Sequence, residues 1–288
     1  MPEQGSLWMS GSGSSLTLSG LQIVVTYPAS SGAQPDPVID AGGDLTLENC
    51  IIWCNRPARG SRAVLAQGGT TNVTGCLIQD FDQAVALSLF RGARVQLRQS
   101  MLVYTKAEDD APRSAVGVRY QPSQGTATAS LILDHCTVAL GEGSLVDVAG
   151  LQAEEPLALR LSSNVVRAGA LLLWRDPVAQ FPGPLGWSGK GNRYDVRKPY
   201  WVVLPPKGLD GLPDGPTDLD SWNRALGDQE LDPRAITVRW ADPDVAPAAP
   251  PDPAHFTLAS PREDRVGADP KQVGPQAMPA VEKAPPAR

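Results

Sequence analysis

The residues able to do chemistry in this chain are few and scattered. Two histidines, His135 and His255, stand in 288 residues. A Ser-His-Asp or Cys-His arrangement therefore has few ways to form. His135 reads as a bend residue facing solvent, and His255 falls in a Pro/Ala-rich tail. Paired carboxylates are the other route to hydrolysis, since cleaving a glycosidic bond needs two acids converging on it. Asp80 and Asp82 flank Phe81, Glu108-Asp109-Asp110 cluster in a polar stretch, and Asp176 follows Trp174-Arg175. All of these read as solvated turn residues. The pair best placed for catalysis is Asp147 with Arg119 or Arg175. Trp53, Tyr104, Tyr120 and Trp174 could stack on sugar rings if they lined one face. Cys50, Cys54, Cys76 and Cys136 lack the spacing of a four-ligand zinc site. Gly11-Ser12-Gly13 and Gly68-Gly69 read as turns, so no phosphate loop, metal or cofactor is expected.

What positions these residues is a repeat. The pattern is apolar, any, apolar, two residues, small, any, apolar. It reads Leu45-Thr46-Leu47-Glu48-Asn49-Cys50-Ile51-Ile52 in its clearest copy. Copies begin at Leu16, Leu45, Thr71, Val95, Leu131 and Leu159, in steps of 29, 26, 24, 36 and 28 residues. A period in the twenties with insertions marks a solenoid. Within a copy, the first two apolar residues alternate with polar ones, as one buried strand face requires. The next inward residue comes three positions later rather than two, so the chain must bend sharply there. Such a bend favours a left-handed residue at its second position. Gly20, Asn49, Gly75, Gln99, His135 and Ser163 occupy that position. Cys50, Cys76 and Cys136 follow it and form a ladder of small buried residues, continued by Ser100 and Asn164. Cys54 lies outside the ladder and reads as a loop thiol.

A further short apolar strand follows each copy, giving three strands per coil. In this the chain resembles the right-handed parallel β-helix, or pectin-lyase-like, family over residues 14–200. The resemblance implies an all-β solenoid of about six coils. It also implies a place among proteins that include polysaccharide lyases and hydrolases, and among domains of larger bacterial multidomain proteins. The Asn-Thr-Asp, Gly-His-Gly and Arg-Ile-Lys runs of polygalacturonase-type members are absent, so no catalytic role carries over. On the lone strand, Leu171 and Leu173 are expected inside, with Leu172 and Trp174 outside.

The ends differ. Residues 1–13 form a Ser/Gly-rich lead with no amphipathic helix, so the first coil is expected to be open to association. Residues 201–240 form a cap. Thr217 or Asp218 begins a short helix that ends at Gly227, and Trp201, Trp222 and Trp240 form a plug. Residues 241–288 hold 11 Pro and 11 Ala and are expected to be disordered.

A net charge of −6 without a Lys/Arg cluster argues against nucleic acid as a partner. No apolar run nears the ~18 residues of a membrane span, and the first ten residues lack a signal-peptide pattern. Compartment is left open. The expected function is a non-catalytic structural or interaction scaffold for a protein or glycan partner. The alternative is a carbohydrate-active enzyme, a polysaccharide lyase or hydrolase with an unrecognised site.

Overall fold

The computed structural model describes residues 6–27, 34–88, 93–106, 113–119, 129–150, 157–175, 185–197, 199–204, 215–240, 251–259 and 266–275. The chain winds into an all-β solenoid of three parallel sheets, each with eight strands. Sheet A runs from Trp8–Ser10 to Trp201–Leu204. Sheet B runs from Ser15–Ser19 to Glu230–Leu231, and sheet C from Gln22–Thr26 to Arg234–Ala235. One strand of each sheet makes a rung, numbered here from the N-terminal end.

Each eight-residue copy is a sheet B strand, a two-residue bend and a sheet C strand. Asp44–Glu48 and Ile51–Arg56 are the pair in rung 2. All six expected bend residues have positive φ, from 46° at Gln99 to 67° at Gly20. Two further rungs repeat the geometry at Gly191 and Asp232. The strand Trp8–Ser10 pairs with Ile39–Ala41, so this part of the N-terminal lead already belongs to the solenoid.

Alternation fills the interior with columns of stacked side chains. Leu45, Thr71, Val95, Leu131, Leu159 and Trp187 form one column, in register from rung to rung. Each fully buried leucine contributes about 1.5–3 kcal/mol. The column of small residues is polar, and its chemistry follows from the bend. Where the chain turns, a backbone N–H loses its ladder partner, and the side chain one rung on replaces it. Cys76 Sγ accepts from Cys50 N at 3.4 Å and Ser100 Oγ from Cys76 N at 3.2 Å. Asn164 Oδ1 accepts from Cys136 N at 2.8 Å and Asn192 Oδ1 from Asn164 N at 3.0 Å. The four cysteines are free and buried, Cys54 included, so Cys54 is a core residue on a strand rather than a loop thiol.

The C-terminal end is closed by α1, Leu219–Ala225, whose N-cap Asp218 accepts from Ser221 N at 2.8 Å. Its Trp222 is fully buried and stands edge-on to Trp187, with ring centroids 5.0 Å apart. Trp240 is not part of this plug. It follows the last sheet C strand, so it emerges on the side of the rod and packs edge-on against Phe256 at 5.9 Å.

The Pro/Ala-rich tail departs most from expectation. Residues 251–259 and 266–275 lie on the outer face of sheet C, where Phe256, Ala268 and Val273 cover Ile51, Trp53, Leu77, Met101 and Val103. Composition pointed to disorder because these residues cannot make a core alone; the solenoid supplies the other half of it.

Candidate functional site

The outer face of sheet A holds the best catalytic pair foreseen in the sequence. Asp147 accepts from Arg175 Nε through both oxygens, at 2.8 and 3.1 Å. Along its register column Asp147 stands between Gly117 and Leu173. Arg119 is exposed and separated from Arg175 by Ala149 in their own column. The pair is therefore a bifurcated ion pair between rungs, one Nε–H shared by both carboxylate oxygens. No second carboxylate, as hydrolysis of a glycoside needs, flanks Asp147 in its register column.

The three aromatic candidates among the described residues do not share a face. Trp174 is in register with Val148 and points into the core, 1% exposed. The run Leu171-Leu172-Leu173-Trp174 is apolar at both parities, so alternation alone could not tell its faces apart; pairing with Val146 and Val148 puts Leu172 and Trp174 inside. Trp53 lies on the outside of sheet C beneath the tail. Tyr104 carries the Arg113 guanidinium 3.9 Å above its ring. Tyr120 lies outside the described residues, as do Glu108, Asp109, Asp110 and Asp176.

The remaining buried carboxylates are tied down. Asp80, with φ of 62° and no exposure, accepts from Thr105 N at 2.7 Å, Gln79 Nε2 at 3.1 Å and Trp53 Nε1 at 3.4 Å. Lys106 Nζ lies 3.8 Å from it. Asp82 accepts from Gly60 N at 2.6 Å. Burial, aided by the Asp80 charge, pushes the neighbouring Cys54 thiol up to about 12, which favours the protonated form. Glu230 ends the interior ladder, accepting from Trp187 Nε1 at 2.6 Å, Tyr194 OH at 2.7 Å and Asn192 Nδ2 at 3.2 Å. Burial raises its carboxyl above the usual range even against those three donors. Among the described residues no group of three or more His, Cys, Asp or Glu is arranged to hold a metal ion, and no helix is long and apolar enough to cross a membrane.

The outer face of sheet B is different. Its strands present one parity to solvent over seven consecutive rungs. At ~4.8 Å per rung this makes a flat surface ~30 Å long. The middle column reads Thr17, Thr46, Asn72, Gln96, Ile132, Arg160, Ser188. The column beside it contains Glu48, Thr74, Arg98, Asp134, Ser162 and Lys190. Acid stands early on this face, at Asp44 and Glu48, and base later, at Arg94, Arg98, Arg160 and Lys190, all exposed. Near the cap the face deepens into an open cavity of about 620 Å³, lined by Ile132, Arg160, Ser162, Ser188, Lys190 and Gln229. That volume is in the range of small-ligand sites. The signal was present in the sequence: it is the other parity of the same alternation that located the core. No family model, curated protein or solved structure matches the chain.

Proposed function

We propose that this chain is a non-catalytic interaction scaffold of pectin-lyase-like type, and that the outer face of sheet B binds an extended glycan or protein partner. One observation carries the reading. The sheet B face holds its hydroxyl, amide and charged side chains toward solvent over seven rungs, whereas the sheet C face is covered by the tail and Ala84, Ala86 and Asp147 of sheet A are buried. Neutral donors and acceptors interleaved with isolated cations suit a hydroxyl-rich polymer carrying occasional anionic groups. Four exposed cations in a chain of net charge −6 do not suit a densely charged nucleic acid. The locked states of Asp147, Asp80 and Glu230 support the non-catalytic part. Association through rung 1, where Leu7 and Val24 are exposed, belongs to the same reading.

The test is a glycan array of acidic and neutral polysaccharides, with and without calcium. Binding without cleavage is expected, reduced at least tenfold in an Arg160→Ala/Lys190→Ala double variant. Cleavage of any polymer that is lost in Asp147→Asn would overturn the scaffold reading in favour of a lyase or hydrolase. Silence across the array would remove the glycan and leave a protein partner.

A further inference from the structure

The outer face of sheet C carries apolar residues where a solvated sheet would carry polar ones. Ile51, Trp53, Leu77, Met101 and Val103 all point outward and are all buried. What buries them is a peptide that crosses the rungs rather than joining a sheet. The tail descends from the cap toward the N-terminal end along the line of bends. Gly267 N donates to Ser163 O at 2.7 Å in rung 6, and Ala268 N to Thr137 Oγ1 at 3.0 Å in rung 5. Asp269 N donates to Gln99 Oε1 at 3.1 Å in rung 4, and Gly274 N to Gly75 O at 2.8 Å in rung 3.

The mode of contact states what the face recognises. Its bends offer acceptors at rung intervals: the Ser163 and Gly75 carbonyls, the Thr137 hydroxyl and the Gln99 amide oxygen. Close approach demands a small residue with positive φ at position 267, because a Cβ there would meet Thr137 Oγ1 at 2.8 Å and Val165 Cγ2 at 3.1 Å. Val266, Ala268 and Val273 then enter apolar positions on either side. None of the four backbone contacts is part of the sheet ladders, so releasing the tail leaves all three sheets intact.

We propose that the outer face of sheet C is a peptide-binding surface, that the tail is its resident ligand held in cis, and that an extended Gly/Ala/Val/Pro-rich peptide of the same pattern displaces it in trans. This surface is separate from sheet B and does not depend on what that face binds.

A tethered ligand competes with a free one at an effective concentration on the order of millimolar. The free peptide must therefore bind weakly to the intact chain and better once the tail is expelled. The probe is a fluorescent peptide of residues 251–275, titrated into three full-length proteins: wild type, Gly267→Val, and Val266→Asp/Ala268→Glu/Val273→Asp. Both variants alter only the tail, and circular dichroism checks that each remains folded. The expected result is at least tenfold tighter binding to both variants than to wild type, and no binding of a peptide that itself carries Gly267→Val. Hydrogen exchange on the wild-type chain supplies an independent reading, in which the amides of Gly267, Ala268, Asp269 and Gly274 exchange together and well before those of sheet B. The proposal is overturned by folded variants that do not bind the peptide, by wild type binding it equally well, by the substituted peptide binding unchanged, or by tail amides as protected as the sheets.

Discussion

Asn164 and Asn192 lie one rung apart in the interior, and Asn192 Oδ1 accepts both the backbone N–H and the side-chain Nδ2 of Asn164, each at 3.0 Å. Asn192 Nδ2 passes the chain on to Leu161 O at 3.1 Å and to Glu230 at 3.2 Å. The last third of the core is thus a connected polar network in which every member depends on the next. Replacing Asn192 by Leu strands the Asn164 amide and one Glu230 oxygen in a dry interior. A loss of about 2–6 kcal/mol is expected, from two orphaned groups at about 1–3 kcal/mol each. Urea unfolding measures it, and a loss below 1 kcal/mol would mean that water enters the ladder.

Glu230 adds a pH dependence of known sign. Its carboxyl is raised in the folded chain, chiefly by burial, so the folded state holds its proton to higher pH than the unfolded state does. That contribution is complete below the ordinary glutamate range and is lost as pH rises through the folded value. Stability measured from pH 4 upward should fall more steeply in wild type than in Glu230→Gln. Parallel curves would show that the network keeps the group ionised throughout.

One position in the leucine column works against the fold. Thr71 is buried between Leu45 and Val95, and its hydroxyl finds no partner among the described residues. Thr71→Val keeps the shape and removes the orphaned hydroxyl. A gain of about 1–2 kcal/mol is expected, read as a higher urea midpoint with an unchanged slope.

The bends give a paired test. Ser163 sits at φ of 51°, where a β-branched side chain is strained. Ser163→Val should cost about 1–2 kcal/mol, while Ser163→Gly should stay within about 0.5 kcal/mol of wild type, because relief of strain offsets the entropy glycine adds to the unfolded chain.

All four thiols are shielded in the folded chain. Ellman's reagent should find none in the native state and four in denaturant. Under mildly destabilising conditions Cys50 should react first. The neighbouring Cys76 sulfur is the chief cause that lowers the Cys50 thiol below the ordinary cysteine range, and Cys50 lies only one rung from the N-terminal end of the sheets.

The solenoid was readable because its rule is local and repeated: two inward residues, a bend, then two more, as in Leu45 to Ile52. The seventh rung obeys the same rule but escaped the pattern, and the reason is physical. Where the copies carry Leu47, Val73, Leu97, Leu133 and Leu161, rung 7 carries Gly189. The Glu230 side chain folds back into the space a Cβ would need there. Contacts without a period stayed hidden. Ile51, Leu77 and Met101 find their partners in Phe256, Ala268 and Val273, far along the chain and in a segment whose composition argues against structure. For the candidate site, Asp147 and Arg175 could be paired from strand parity, but which rotamers bring Arg175 Nε onto both oxygens of Asp147 is set by packing that no sequence pattern carries.

The descent of the tail also sets where the described residues begin and end along the axis. Residue 274 lies against rungs 2 and 3, beside Ile51 and Gly75, only ~10 Å in rung spacing from the strand Trp8–Ser10. The rod is therefore strapped back on itself, and its two described extremities emerge at one pole. A linker joining the described extremities across that pole would close the solenoid and its strap into a ring without crossing the far end of the rod. New termini opened elsewhere would then turn the strap from a trailing end into an internal crossing.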